Sequence, residues 1–112
     1  MSLSSSVQDQ TQVISVNAER IDAAMAIEFK DEMRQETADG PGRVILDLTK
    51  VEFIDSSGLG AIVASMKQLG TDKRLELAGL SPKVQKVFRL TRMDTIFTLF
   101  PTLNEALDRS ST

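Results

Sequence analysis

The segment from Val44 to Gly60 constrains the fold more than any other part of the chain. It reads VILDLTKVEFIDSSGLG, and its first five residues are nearly all apolar. Such a run is typical of a strand that is covered on both faces. Phe53 and Ile54 are then expected to return the chain to the core, and a helix is predicted to begin in the polar step after them. The segment therefore predicts a strand, a tight turn and a helix in succession.

The start of this helix places hydroxyl groups among free backbone amides. Asp55 or Ser56 is a suitable N-cap, and the sequence leaves open which of the two caps the helix. In either arrangement the unpaired amides of the first turn surround Ser56, where a phosphate group would be favoured. Taken alone, an Asp-Ser-Ser-Gly string is far more often an ordinary helix cap than a phosphorylation site.

Strands and helices alternate along the rest of the chain. An antiparallel pair of short strands is predicted first, from Val7 to Gln10 and from Gln12 to Val16. The alternation after it predicts an α/β fold with a mixed, mainly parallel β-sheet, about four helices and an N-terminal β-hairpin. In chain order the remaining predicted elements are helix 23–37, strand 43–48, helix 57–69, strand 73–78, a helix entered at Ser81 and Pro82, strand 96–100, and a short helix opened by a capping box at Thr102 and Glu105.

Two aspartates follow strands at the edge where such sheets carry their functional crevice. Asp22 is expected to cap the first helix, and Asp55 lies in the turn after the central strand. Because the carboxyl ends of parallel strands meet at one edge of a sheet, these two turns are predicted to be neighbours. Asp47 lies within the central strand, so the three dispersed aspartates are explained better by structural roles than by a metal site.

The absence of cysteine and histidine excludes several classes of chemistry. Without cysteine there is no disulfide, thiol nucleophile or thiolate metal site, and without histidine the usual zinc sites and the Ser-His-Asp relay are missing as well. The formal net charge of -3 and the lack of a basic run argue against direct binding of nucleic acid. The expected partner is therefore a protein, and no cofactor is expected.

Length and hydropathy predict a single domain outside the membrane. The 112 residues are expected to form one domain over residues 1–112, with residues 1–5 and 109–112 frayed. No stretch approaches the roughly 18 consecutive apolar residues that cross a bilayer, and the N-terminus lacks the apolar core of a signal peptide. The chain is therefore expected to be cytoplasmic.

Helix 57–69 is predicted to have one apolar face and one face of small residues. The apolar face holds Leu59, Ile62, Val63, Met66 and Leu69. The opposite face holds Ser57, Gly60, Ala61 and Ala64, which leave a smooth surface that a partner protein can approach closely. Packing of these small residues beneath a neighbouring helix is the alternative explanation.

The string FIDSSGLG after a VILDL strand resembles the signature of the STAS domain, in particular that of the bacterial anti-sigma factor antagonists. Two other places resemble the family: the apolar-aspartate step at Ile21 and Asp22, and the helix entry from Leu80 to Val84. The resemblance covers roughly the whole chain. One position departs from it, because Glu19 stands where family members usually carry a glycine, three residues before the first aspartate.

This resemblance implies a switch that is controlled by phosphorylation. It places the phosphorylated serine at Ser56, directly after the motif aspartate. It implies that the unphosphorylated protein binds an anti-sigma factor that is also a serine kinase, that phosphorylation breaks this complex, and that a serine phosphatase restores it. Such a protein is not an enzyme and regulates transcription without contacting DNA. The implied partner-binding residues are Asp22, Asp55, Ser57, Gly58, Gly60, Ala61 and Ala64.

Two other functions stay open at this point. STAS domains also occur as scaffold modules that are not phosphorylated, and some are proposed to sense nucleotides. A small acyl-transfer or phosphoryl-transfer enzyme that uses Ser56 as its nucleophile is a more distant alternative, because no general base of suitable pKa stands beside this serine in the sequence.

Overall fold

The computed structural model describes residues 3–110 and contains two sheets. The main sheet has five strands in the order β1-β2-β4-β6-β7, and β3 and β5 form a small separate sheet. The strands are β1 (Leu3–Gln8), β2 (Thr11–Val16), β3 (Arg20–Ile21), β4 (Arg43–Asp47), β5 (Phe53–Ile54), β6 (Arg74–Ala78) and β7 (Leu99–Phe100). The helices are α1 (Ala26–Thr37), α2 (Ser56–Leu69), α3 (Pro82–Leu90) and α4 (Leu103–Ser110), and a 3₁₀ turn lies at Met93–Thr95.

The strand directions confirm the predicted fold class. β1 is antiparallel to β2, whereas the pairs β2 with β4, β4 with β6, β6 with β7 and β3 with β5 are all parallel. The turn of the N-terminal hairpin consists of Asp9 and Gln10, which both have positive φ angles, 51° and 62°. A two-residue turn of this kind matches the right-handed twist of the strands that it joins.

The two faces of the main sheet are covered by different helices. One face packs against α1, α2 and α3 around the completely buried Leu46, Leu77 and Phe88. The other face packs against α4 through Ile45 and Ala106. Because successive strand residues point to opposite faces, β4 is apolar at consecutive positions. The apolar run that starts at Val44 is thereby explained.

Several predicted element bounds are wrong. β1 begins at Leu3 and α4 ends at Ser110, so both elements extend into the terminal segments for which fraying is expected; residues 1–2 and 111–112 lie outside the described residues. α1 begins three residues late because residues 23–25 form a turn that is closed by a hydrogen bond from the Met25 amide to the Asp22 carbonyl (3.1 Å). Three elements differ most from their predicted bounds: β1 spans Leu3–Gln8 and was predicted over Val7–Gln10, α1 spans Ala26–Thr37 and was predicted over 23–37, and β7 spans Leu99–Phe100 and was predicted over 96–100.

Candidate functional site

The two aspartate turns lie side by side because the small sheet brings them together. β3 and β5 run parallel, with Arg20 opposite Phe53 and Ile21 opposite Ile54. The backbone amide of Asp55 then donates a hydrogen bond to the carbonyl of Ile21 (3.3 Å). The two buried isoleucines hold this sheet on the core, so the predicted proximity of the two turns is confirmed.

The carboxylate of Asp55 joins the two turns directly. Its Oδ1 accepts a hydrogen bond from the Gly58 amide (2.8 Å), and its Oδ2 accepts one from the Ala23 amide (3.1 Å). The first bond makes Asp55 the N-cap of α2, with the extended backbone that this position requires (φ −92°, ψ −178°). Of the two candidate caps, Asp55 is therefore the cap and Ser56 is the first residue of the helix.

These contacts keep Asp55 ionised. The hydrogen bond from the Gly58 amide is the largest influence, and it lowers the pKa of Asp55 below its ordinary value. Partial removal of the carboxylate from water acts in the opposite direction, whereas the amides of Ala23 and Ser57 and the positive charge of Arg20 lower this pKa further. Asp55 therefore carries a full negative charge beside Ser56 at neutral pH.

Asp22 shapes its turn and does not cap α1. The N-cap position of α1 is Met25, which makes no side-chain capping bond. Asp22 instead accepts a hydrogen bond from the Ala24 amide on Oδ1 (3.1 Å), and its Oδ2 lies 3.4 Å from Nε of Arg20. The predicted capping role is wrong because the chain makes one more turn before the helix begins. That turn orients the Ala23 amide towards Asp55.

Ser56 and Ser57 occupy the first two positions of α2, and both are exposed. Their exposure follows from the capping geometry, because Asp55 supplies the acceptor that the first turn needs and neither serine is required as the cap. The two hydroxyl groups are thus accessible at a helix N-terminus, beside the ionised Asp55.

Gly58 and Ala61, two of the predicted partner-binding residues, are buried, so the smooth exposed face predicted for α2 does not include Ala61. A Cβ atom on Gly58 would lie 1.9 Å from the carbonyl oxygen of Ile21, and Ala61 is only 3% exposed. Ser65 is buried as well, on the same side of α2 as Gly58 and Ala61. The larger apolar residues of the predicted core face, Leu59, Val63, Met66 and Leu69, pack against the core while remaining partly exposed.

The other residues of the predicted smooth face remain accessible. Ser57 and Gly60 are exposed, and Ala64 is half-buried. No atom lies within 4 Å of the position that a Cβ on Gly60 would take, other than atoms of the helix itself and the adjoining residues. The accessible surface at the start of α2 therefore consists of Ser56, Ser57 and Gly60, with Ala64 at its side.

Arg20 and Phe53 belong to the same surface, although neither was singled out from the sequence. Phe53 was expected to enter the core, but it is 42% exposed, and the guanidinium of Arg20 lies 4.4 Å from the centre of its ring. The alternation of side chains along a strand supplies the missing signal: if Ile54 points inward, its neighbour Phe53 points outward.

Glu19 stands where the resemblance to the family implies a glycine, and the backbone accommodates it. Its carbonyl accepts hydrogen bonds from the amides of Glu52 (2.7 Å) and Phe53 (3.1 Å). Among the described non-glycine residues, positive φ angles occur only at Asp9, Gln10 and Arg92. The backbone at Glu19 is therefore one that any residue adopts, and the substitution leaves the turn before Asp22 intact.

Comparison with known proteins identifies the family. The family model for the STAS domain matches residues 3–106. The chain belongs to the STAS domain family. Its relatives include the anti-sigma-F factor antagonist RsfB of Mycobacterium tuberculosis, which is 30% identical over 95 residues, covering 85% of this chain and 77% of the relative. The anti-sigma-B factor antagonist of Staphylococcus aureus is 27% identical over 92 residues, with coverage of 81% and 84%.

A solved structure shows the same likeness. The crystal structure of an anti-sigma factor antagonist from Mycobacterium paratuberculosis superimposes with a TM-score of 0.86 at 29% identity and covers 98% of this chain and 93% of the other. The chain is thus a STAS domain protein of the anti-sigma factor antagonist group, as its sequence motifs indicated.

Asp47 of this STAS domain has a local structural role. Its Oδ1 accepts hydrogen bonds from the amide (3.1 Å) and the hydroxyl (2.5 Å) of Thr49, which fixes the turn after β4. Within residues 3–110, no group of three or more acidic, histidine or cysteine side chains is placed to hold a metal ion. None of the helices in that part of the chain has the length and apolar character of a membrane span.

A polar cleft of about 350 Å³ lies at the carboxyl ends of β2 and β4, apart from the Asp22 and Asp55 turns. Lys50 is the cation that lines it, and Nζ of this lysine donates a hydrogen bond to Oδ1 of Asn17 (3.3 Å). The lining residues are Ser4, Ser15, Val16, Asn17, Asp47, Thr49, Lys50, Thr102, Leu103 and Asn104.

Two glycines of α2 should respond in opposite ways to the same substitution. Gly58→Ala should destabilise the STAS domain by about 1–3 kcal/mol or more, because the added methyl group collides with the backbone of β3. Gly60→Ala should leave stability unchanged or raise it by about 0.5–1 kcal/mol, because alanine favours the helix and meets no neighbour there. Urea denaturation of both variants checks this. Equal effects would contradict the close approach of β3 to α2.

Acid denaturation should report the charge of Asp55. Because folding lowers the pKa of Asp55, its ionisation stabilises the folded protein above the ordinary aspartate pKa of about 4. This stabilisation is lost as the pH falls below that value. Asp55→Asn keeps a capping oxygen but no charge. Between pH 2 and 5, a range of about 3 pH units around that pKa, the free energy of unfolding of this variant should therefore rise less than that of the wild-type protein. Asp31→Asn controls for net charge, and an equal change of slope in both variants would contradict the assignment.

Proposed function

We propose that this STAS domain protein is an anti-sigma factor antagonist that works by partner switching. The unphosphorylated chain binds an anti-sigma factor that is also a serine kinase and so releases the sigma factor. Phosphorylation of Ser56 by that kinase breaks the complex, and a serine phosphatase restores the active form. The observation that carries the proposal is the exposed Ser56 at the start of α2, where the Asp22 and Asp55 turns meet.

The relatives support the first part of this proposal. Both curated relatives named above are anti-sigma factor antagonists, and the chain covers more than three quarters of each. The superimposed crystal structure is also that of an anti-sigma factor antagonist, and this chain covers 93% of it. The binding of an anti-sigma factor is therefore inferred from relatives that share the complete fold rather than a fragment of it.

The local electrostatics favour a phosphate that leaves the fold intact. A phosphate on Ser56 adds about −1.5 to −2 charges at pH 7, and at a helix N-terminus this charge meets unpaired amides and the positive end of the helix dipole. The capping bond from Gly58 to Asp55 does not involve the Ser56 side chain. Phosphorylation is therefore expected to leave α2 capped and the domain folded.

The same phosphate opposes a docked partner. In the complex the phosphate loses water beside the ionised Asp55, which repels it. A loss of only about 3 kcal/mol of binding free energy weakens an interface more than a hundredfold. The partner surface comprises Asp22, Asp55, Ser57, Gly60 and Ala64 around Ser56, and the buried Gly58 and Ala61 support it from inside.

The chemistry of the site favours binding over catalysis. The chain has no histidine, and the carboxylate nearest to Ser56 in sequence is Asp55, whose pKa is lowered. A carboxylate of lowered pKa is a weak general base near neutral pH. The protein is thus a kinase substrate and a binding partner in the cytoplasm, and it affects transcription without contacting nucleic acid itself.

Nucleotide sensing is a second candidate because of the polar cleft beside β2 and β4. Its volume of about 350 Å³ lies in the range of small-molecule sites, and it opens at the strand edge where parallel sheets bind ligands. Calorimetric titration with ATP or GTP in the absence of a partner distinguishes the two functions. An antagonist binds neither nucleotide tightly, whereas tight binding supports the sensing role.

Substitutions of Ser56 should separate partner binding from folding. Ser56→Asp should keep the wild-type melting temperature, because an acidic residue in the first turn of a helix contributes about 0.3–1 kcal/mol, yet it should lose affinity for the kinase partner. Ser56→Ala should bind the partner, resist phosphorylation and change the stability by less than about 0.5 kcal/mol, because Asp55 is the cap. Differential scanning calorimetry and a pull-down with the kinase measure the two properties.

Ser57→Ala is the matched control, because Ser57 is the adjacent exposed hydroxyl in the same helical turn. It should remain a kinase substrate, and peptide mapping should locate the phosphate on Ser56. Phosphate on Ser57, or a Ser56→Ala protein that is still phosphorylated, would contradict the proposal. Unfolding of Ser56→Asp would show that this residue is structural.

A further inference from the structure

Arg20 is an exposed positive charge in the surface around Ser56. Its side chain is 61% exposed and makes two weak contacts, an ion pair of 3.4 Å with Asp22 and a stacked position 4.4 Å from the ring centre of Phe53. Exposed ion pairs of this kind stabilise proteins by little. Arg20 can therefore exchange these contacts for a stronger one at small cost.

The strand register directs Arg20 towards Ser56. Arg20 stands opposite Phe53 in the parallel pair, so Ser56 follows three residues further along the neighbouring chain segment. This separation is about 10 Å for extended chain. The side chain already leans in that direction, since Nε contacts Asp22, which is two residues further along its own strand. Arg20 also acts electrostatically on Asp55, the residue before Ser56.

We propose that Arg20 binds the phosphate of phosphorylated Ser56, leaving the Asp22 carboxylate and uncovering the ring of Phe53. This inference rests on the proposed phosphorylation of Ser56, and the guanidinium of Arg20 is the group that responds to the phosphate. A phosphate carries up to twice the charge of a carboxylate, and its oxygens match the paired donors of a guanidinium. The exchange needs a rotamer change in one exposed side chain and no movement of the backbone.

This exchange alters three parts of the partner surface at once. The guanidinium is withdrawn from the partner, the Asp22 carboxylate loses its neighbour, and the Phe53 ring is exposed further. Arginine and aromatic side chains are the residues that most often anchor protein interfaces. Phosphorylation then separates Arg20 from Phe53, in addition to introducing charge.

The titration of the phosphate itself tests the proposal. Phosphoserine is incorporated at position 56 during translation, so the sample does not depend on any kinase, and its second pKa is followed by ³¹P NMR. The positive charge of Arg20 favours the dianion, so the pKa should lie below the value of about 6 of an isolated phosphoserine. Arg20→Gln should raise this pKa by about half a unit, and Arg20→Lys should raise it less.

Arg34→Gln is the matched control. Arg34 is 63% exposed and forms an ion pair of 3.6 Å with Asp31 in α1, so this variant removes the same charge from the same kind of contact elsewhere. Arg34→Gln should leave the phosphate pKa at the wild-type value. A wild-type value in Arg20→Gln as well, with an unchanged melting temperature of the unphosphorylated variant, would overturn the proposal.

The ring signals of Phe53 give a second readout. Assigned with the Phe53→Leu variant, they should shift on incorporation of phosphoserine in the wild-type background and stay in place in the Arg20→Gln background. The same shift in both backgrounds would overturn the exchange of contacts. Failure of the kinase to modify Ser56 would instead contradict the proposed function. It would leave the proposal for Arg20 untouched, because the phosphoserine is incorporated during translation without the kinase.

Discussion

One carboxylate, that of Asp55, holds the functional end of the molecule together. It accepts hydrogen bonds from the amides of Gly58 in its own helix and Ala23 in the neighbouring turn. A single side chain thereby fixes where α2 begins and joins the two turns that the small sheet brings side by side. The absence of a side chain at Gly58 is a condition for this arrangement, because a Cβ there would overlap the carbonyl of Ile21.

This arrangement separates the parts of the site that must stay fixed from those that can change. The two hydrogen bonds to the Asp55 carboxylate leave the hydroxyl of Ser56 free, so modification of Ser56 breaks neither of them. The side chains of Arg20 and Phe53 are exposed; Arg20 stacks on the ring of Phe53 and forms an exposed ion pair with Asp22. A switch built in this way changes its surface charge and contacts while its backbone stays in place.

The sequence predicted the order of the helices and of the main-sheet strands, and the meeting of the two turns, because these follow from apolar periodicity and parallel strands. It did not predict the small sheet of β3 and β5 that brings the turns together. It did not predict that Gly58 and Ala61 are buried, because small residues beside the exposed Ser57 and Gly60 look like part of an exposed face. Phe53 was misplaced because both residues of the Phe53-Ile54 pair were expected in the core, although neighbouring side chains of a strand point to opposite sides. Which of Asp55 and Ser56 is the N-cap of α2 could not be predicted from the sequence, because both residue types are good N-caps.

The central claim is that phosphorylation of Ser56 acts on the surface and leaves the Asp55 contacts intact. Hydrogen exchange of the Ala23 and Gly58 amides, measured by NMR with serine or translationally incorporated phosphoserine at position 56, tests this most directly. The account predicts the same protection of both amides in the two forms, since both bonds end on Asp55. A loss of protection at either amide in the phosphorylated form would contradict it, because the phosphate would then have broken the contact that joins the two turns.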